Sequence, residues 1–554
     1  MDTITIYCKN NSQKVEVPIG ASLVEIYKAV GEPLRFTPMN VMVNNKVEGL
    51  TFRCWQPKDV EFTDYTNPSG MRAYVRSLCH IFSKAVNDVL PSATLDLEHP
   101  ISKGYYCVIE NGKPIDEVTI RKIKERMWEI VEADIPFIHK TIRTPEAVAL
   151  FHQHKMGDKA RLIETAGMVY TSYYELDGYI DFFYGCLTPS TGYIHLFDIV
   201  PYFDGVLLRV PQRDNPLELE PEIRQDKMFE VYKGSLTLLR TLCLDNVGDL
   251  NKAIGEKKSS EIILVSEAMQ EKQIAGIAKQ ISDRYDDGVR IVLISGPSSS
   301  GKTTFAQRLG IQLMTNLYHP VSISLDDYFL NRVDTPCDET GDYDYESLYS
   351  LDLDYFNSDL GKLLKGEEIE LPSYSFTTGT RVYKGKKLKL RSNSLLIIEG
   401  NHALNPELTA LIDNRYKYRV YVSALTSISL DNHNWIPTTD NRLLRRIVRD
   451  YQYRNYSPTE TIARWPSVRK GEDKWIFPFQ ETADSMFNSA MLYELAALRP
   501  LAEPILSEVK EEEREYAEAY RLKRFLRYFN PINDKDMPGT SLLREFVGGG
   551  SFNY

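Results

Sequence analysis

Long apolar runs are missing from this chain. No uninterrupted hydrophobic stretch reaches the roughly 20 residues of a membrane-spanning helix, so no membrane span is expected. The start, Met1-Asp2-Thr3-Ile4-Thr5, lacks a basic segment and an apolar core, so no secretory leader is expected either. Cysteine is sparse. Cys8, Cys54, Cys79, Cys107, Cys186, Cys243 and Cys337 are odd in number and scattered, with no C-x-x-C pair. That argues against a disulfide framework or a zinc ribbon and fits the reducing cytoplasm. Positive charge is in deficit: Lys+Arg 66 against Asp+Glu 77 leaves a net charge of −11. Broad binding to a nucleic-acid backbone is therefore not expected, though a local basic groove stays open. Gly 31 and Pro 28 exclude collagen-like and Pro/Gly-dominated disordered classes. No repeat of 20–50 residues is present.

What remains is an ordinary globular balance, 43% hydrophobic and 26% charged, over 554 residues. At about 100–200 residues per domain, that length predicts three or four domains. The first segment, 1–63, reads as a small ββαββ unit. Thr3–Cys8 and Lys14–Pro18 alternate like strands around Asn10-Asn11-Ser12. Ser22 and Glu25 have capping-box spacing, and Leu23, Ile26, Tyr27 and Val30 follow as a buried helix face. Val41–Val43 and a run ending at Val60-Glu61-Phe62 supply further strands. This unit resembles the ubiquitin-like TGS domain at the start of threonyl-tRNA synthetases and some GTPases.

The second segment, 68–225, resembles the α+β second additional domain that follows TGS in those synthetases. Arg76-Ser77-Leu78-Cys79-His80 parallels their H-x-x-x-H, and Phe183 and Leu187 stand where they carry Cys and His. Of the four ligand positions only His80 is retained. One His is not a metal site, so no zinc is expected and His80 reads as a packed helix residue. His152 and His154 likewise read as structural. Residues 226–287 form a connector, with helical spacing in Ile274, Ile277, Ile281 and Tyr285.

Residues 288–500 carry the chemistry. Val289–Ser295 is a β-branched apolar run, the mark of a buried parallel strand. It enters Gly296-Pro297-Ser298-Ser299-Ser300-Gly301-Lys302-Thr303-Thr304, a complete G-x-x-x-x-G-K-[ST]. Gly296 and Gly301 let the backbone wrap phosphate, Lys302 can reach the β/γ-phosphates and the Thr303 hydroxyl can ligate Mg²⁺. A second apolar strand ends at Asp326 and a third, Ser394–Ile398, at Glu399. In an open α/β sheet such carboxyl ends face the ligand crevice. Asp326 is thus the candidate general base or Mg²⁺ organiser, and Glu399 a second metal ligand. Arg442, Arg445, Arg446 and Arg449 fall on one helix, with Arg454 beyond it, and guanidinium forks suit phosphate.

Five motifs in order now resemble the uridine kinase and phosphoribulokinase family. They are the P-loop, Asp326-Asp327-Tyr328-Phe329, Leu371-Pro372-Ser373-Tyr374-Ser375-Phe376, Glu399-Gly400, and the lid Thr439–Asp450. The resemblance implies a P-loop α/β kinase fold. It implies that Asp344 binds ribose, that Tyr374 and Phe376 contact the nucleoside, and that the lid arginines close on the phosphates. Where uridine–cytidine kinases place a pyrimidine-reading His, this chain has Gly379, with His433 or His402 as possible substitutes.

The expected activity is transfer of the γ-phosphate of ATP (or GTP), with Mg²⁺, to a nucleoside 5′-hydroxyl, most readily of uridine or cytidine. Two alternatives stay open. One is a kinase of another small alcohol such as a sugar phosphate. The other is a nucleotide-sensing regulator that contacts RNA or the translation apparatus through the TGS-like unit. Because every motif lies beyond residue 288, a chain starting near Asn251 is expected to retain catalysis. Residues 501–554 read as a charged helical extension ending in the flexible Gly548-Gly549-Gly550. The oligomeric state is left open.

Overall fold

A computed structural model of the chain describes residues 2–338, 341–375 and 377–552. Alternation shapes the front end as expected. Strand Thr3–Cys8 turns Ile4, Ile6 and Cys8 inward. It pairs antiparallel with Gln13–Pro18 and parallel with Lys58–Thr63. Asn40–Val43 and Lys46–Glu48 complete a five-stranded sheet. Helix Leu23–Ala29 starts at the Ser22/Glu25 capping box and buries Leu23, Ile26 and Tyr27. Adjacent to it, helix Pro68–Val89 is capped by Asn67, with Pro68 in its first turn where no N–H is needed. This helix packs with a four-stranded antiparallel sheet (94–110 and 198–209) and a three-stranded one (138–143 and 170–181). The connector is three helices: Asp226–Thr241, Val247–Gly255 and Ser259–Asp283.

Five parallel strands form the chemical end of the molecule. Their spatial order is His319–Ser324, Ser394–Glu399, Ile291–Ser295, Lys417–Ser423, Ser485–Asn488. The strand feeding the P-loop is central and every residue in it is buried. Helix Lys302–Thr315 covers the sheet through Phe305, Leu309 and Leu313. An antiparallel hairpin, Ile369–Ser375 with Thr380–Leu388, stands beside it. Among the described residues no helix is long and apolar enough to cross a membrane.

The core is not divided at residue 251, contrary to the expectation of separable chemistry. One apolar cluster runs from Phe151, Leu162 and Phe182, through Leu250 and Ile263, to Ile294 and Leu444, and on to Phe525 and Phe546. Asn251 itself is buried, donating to the Tyr528 carbonyl (2.7 Å) and accepting from Asn530 N–H (2.7 Å). Polar contacts cross the same boundary. Lys159 Nζ lies 2.9 Å from Asp431 and 3.2 Å from Asp181, and His433 Nδ1 lies 2.7 Å from Asp181. Lys159 and both carboxylates are at most 1% exposed. Burial opposes charge on Lys159, but the three surrounding carboxylates win and hold it protonated. A second chain, Arg72–Glu518–Arg521–Asp440, ties helix Pro68–Val89 to the tail and the lid. The tail is also more than a charged extension, because Leu542, Leu543 and Phe546 are wholly buried in the shared core.

Candidate active site

Parallel registry brings the strand ends together. Glu399 pairs in register with Ile294, just before the P-loop, and with Ser324, just before Asp326. The P-loop, Asp326 and Glu399 therefore share the carboxyl edge of the sheet, where open α/β sheets bind ligands. Gly301 caps the P-loop helix at φ +82°, a left-handed conformation that glycine takes without strain. Ser299 also has a positive φ, +58°. The hydroxyls of Ser299 and Ser300 are buried without a hydrogen-bond partner among the described residues. Orphaned donors in a wrapped loop suit an incoming phosphate.

Lys302 is turned back, donating to the Gly296 and Pro297 carbonyls at 2.9 and 3.2 Å. Burial lowers its pKa against the pull of Glu399 and Asp326. Asp326 is reached by solvent at the mouth of the cleft, yet the surrounding mass raises its pKa; Lys302, Arg454 and Arg449 oppose that rise. Glu399 is pushed up to about 7, first by burial and then by Asp326, while Ser324 Oγ donates to it at 3.0 Å. Asp326 raises the pKa of Glu399, and a pair of close carboxylates suits a divalent cation; Thr303 stands in the first turn of the P-loop helix. The donor set fits Mg²⁺.

The arginines are not a solvated face. Arg442 and Arg445 are at most 1% exposed and lie under the P-loop. Arg442 Nε donates to the Ser298 carbonyl (2.9 Å) and its guanidinium pairs with Glu472. Arg445 donates to the Ser299 carbonyl (3.2 Å) and pairs with Glu494. Both thus brace the P-loop backbone. Arg446 donates to Ser298 Oγ (2.9 Å) and, with Arg449 and Arg454, converges on the buried Asp450. Arg449 and Arg454 both act on Asp326, and Arg442 acts on Lys302.

On the acceptor side, Tyr374 N–H donates to Asp327 Oδ1 (3.2 Å), and its ring lies 5.5 Å from Phe329. Asp344 accepts from Glu346 N–H at 3.1 Å. Phe376 lies outside the described residues. Gly379 has φ +68°, and a Cβ there would stand 2.7 Å from Arg332 Nε. A His at this position would be strained at that φ and would require Arg332 to shift. Of the two substitutes, His433 is engaged with Asp181 at the module boundary, whereas His402 lies by Trp475 and feels Lys302, with burial pushing its pKa down to about 4 and its Nδ1 without a partner among the described residues. His80 is buried, its pKa pushed down to about 4, and stacked on Phe137.

Four carboxylates went unread in the sequence. Glu472 accepts from Ser298 N–H at 2.8 Å, Glu494 pairs with Arg445, and Glu545 binds Thr304. Glu346 is pushed up to about 7, mainly by burial, while Arg446 opposes the rise. No motif marks them. The usable signal was that buried arginines require counter-ions, which had to come from somewhere in the chain.

Residues 291–495 match the phosphoribulokinase / uridine kinase family. This segment is similar to P-loop kinase domains. A uridine kinase of Schizosaccharomyces pombe is 34% identical over 169 residues, 30% of this chain and 33% of that protein. The front end has other relatives. A threonine–tRNA ligase of Syntrophomonas wolfei is 27% identical over 190 residues, covering 34% of this chain and 30% of the ligase. The chain thus spans about a third or less of the length of each of these two relatives. A solved structure described as a possible uridine kinase from Bacillus stearothermophilus is 19% identical, covers 36% of this chain and 89% of its own, and has a TM-score of 0.25. The family-matched segment and the front end share a core.

Proposed function

We propose that the chain is an ATP- and Mg²⁺-dependent nucleoside kinase acting on a 5′-hydroxyl, with uridine and cytidine the first candidates. The observation that supports this reading is the register of Glu399 with Ile294 and Ser324, which sets it at the sheet edge from which the P-loop and Asp326 lead off. Asp326 takes the hydroxyl proton as the oxygen attacks the γ-phosphorus. The bond from that phosphorus to the β–γ bridging oxygen breaks, and the nucleoside diphosphate leaves. Lys302 releases its carbonyl partners to reach the phosphates, and Gly296, Ser298–Gly301, Thr303 and Thr304 line the phosphate path. Arg446, Arg449 and Arg454 neutralise the transferring group, while Arg442 and Arg445 hold the loop that cradles it. Thr303, Asp326 and Glu399 would hold Mg²⁺, which when bound neutralises phosphate charge. Tyr374 contacts the acceptor, and Asp344 takes its ribose.

One observation favours a second acceptor class. Arg332 fills the space beside Gly379, which suits an acceptor bearing an anion, such as a sugar phosphate. The division into 1–63, 68–225, 226–287, 288–500 and 501–554 is kept as a proposal, as is RNA contact through the ligase-like front end. The test is ADP formation across a panel of nucleosides and sugar phosphates, with Lys302→Ala and Asp326→Asn alongside. Lys302→Ala should weaken both triphosphate binding and turnover. Asp326→Asn should spare ATP binding and lower kcat by about 10²–10⁴, the range of a general base. Near-normal turnover in Asp326→Asn removes the base assignment, and no turnover on any acceptor removes the kinase reading.

A further inference from the structure

The tail reaches the P-loop from outside the family-matched segment. Glu545 is buried, and its Oε2 accepts from both Thr304 N–H (3.4 Å) and Thr304 Oγ–H (2.6 Å), in the first turn of the P-loop helix. That carboxylate also acts on Lys302 and Glu399. Leu542, wholly buried, presses on Gly301 so closely that no Cβ could stand there. Phe546, also wholly buried, sits 4.8 Å from the Arg445 guanidinium that braces the loop. Arg544 locks the segment, donating to the Met537 carbonyl (2.7 Å) and pairing with Asp534 (2.7 Å).

First-turn N–H and hydroxyl donors of a P-loop helix are the groups that receive a nucleotide phosphate. Here the Thr304 pair receives an internal anion. A phosphate and a carboxylate cannot share one pair of donors, because both are acceptors of like charge. We infer that residues 542–547 are an autoinhibitory strap, with Glu545 standing in for a donor phosphate, and that nucleotide binds only when the strap withdraws.

This rests on the proposal that the P-loop takes a nucleoside triphosphate. The apparent affinity for nucleotide is then reduced by the fraction of molecules with the strap released. Glu545→Gln keeps shape and removes the charge, and Glu545→Ala removes the reach as well. The measurement is calorimetric titration of the full chain and both variants with ADP. Hydrogen exchange of Leu543–Val547 with and without ADP accompanies it. Both variants should bind ADP roughly tenfold more tightly than wild type, a shift set by the released fraction. The wild-type strap amides should lose protection on adding ADP. Equal affinity in all three proteins, or strap amides that gain protection with ADP, would overturn the strap and leave the kinase reading intact. No binding of ADP to any of the three overturns the donor-site reading and the strap together.

Discussion

Lys159→Met should destabilise the two halves of the molecule together. Met keeps the aliphatic stem and deletes the one cation between Asp431 at 2.9 Å and Asp181 at 3.2 Å, with Asp158 at 3.7 Å. Asp181 belongs to the synthetase-like module and Asp431 to the kinase domain, and both are 0% exposed. Water cannot replace the lost ammonium, so two buried carboxylates are left facing one another. Removing one partner of a buried pair costs about 3–5 kcal/mol, and with two acceptors on one cation the upper part of that range applies. His433 remains on Asp181 and Asn434 Nδ2 still donates to Asp431, so what is lost is the ammonium that bridges the two carboxylates. Urea unfolding followed by far-UV circular dichroism and tryptophan fluorescence reads both halves, since Trp128 lies in the front module and Trp435, Trp465 and Trp475 in the kinase. One transition at a lower midpoint is expected. A loss below about 1 kcal/mol, the scale of an ordinary surface change, would refute the reasoning. Two transitions of which only one moves would do the same.

A chain starting at Asn251 should express poorly or fail to unfold cooperatively, because it deletes Phe151, Leu162 and Phe182 from the shared core; a stable truncation with full kinase activity would restore the modular view. Glu98, in the front module, is pushed up to about 7 mainly by burial, from an ordinary value of 4.5. Below pH 4.5 it is protonated both folded and unfolded and has no effect. Between 4.5 and 7 the unfolded chain releases a proton that the folded one keeps, so stability falls as pH rises, by ~3 kcal/mol in all. Glu98→Gln should flatten this slope, which parallel urea titrations at pH 5 and pH 8 would detect. Elemental analysis of the purified chain should find no stoichiometric zinc, since His80 is packed on Phe137 and Phe183 and Leu187 are core residues; one tightly held zinc would contradict this.

The sequence was most readable where local chemistry dictates geometry. The P-loop, the acidic end of Ser394–Glu399 and the Ser22 capping box are short-range devices, and each lies where spacing predicted it, whereas Asp326 falls just past its strand, in the 3-10 turn Leu325–Tyr328. Lys417–Ser423 and Ser485–Asn488 escaped notice because they are ordinary apolar strands without an attached motif. The lid arginines were readable as a helix, but not their burial, because Glu472 and Glu494 reach them from 30 and 49 residues away. Long-range pairing has no local signature. The same holds for the shared core, in which helices that look like a connector and a tail are structural walls of the kinase.

The packing of Leu542 and Phe546 beneath the P-loop fixes the order in which this molecule can be built. Glu545 follows Thr304 by 241 residues. At a synthesis rate of about 5–20 residues per second, the P-loop strand waits roughly ten to fifty seconds for the segment that seals it. From the synthesis of Ile447 until Phe546 is added, roughly five to twenty seconds at that rate, the nascent kinase presents an open apolar seam around Phe305, Leu444 and Ile447. Such a seam is a natural target for chaperones and for aggregation. Slowed translation late in the message should therefore harm the yield of this protein more than the same delay early on.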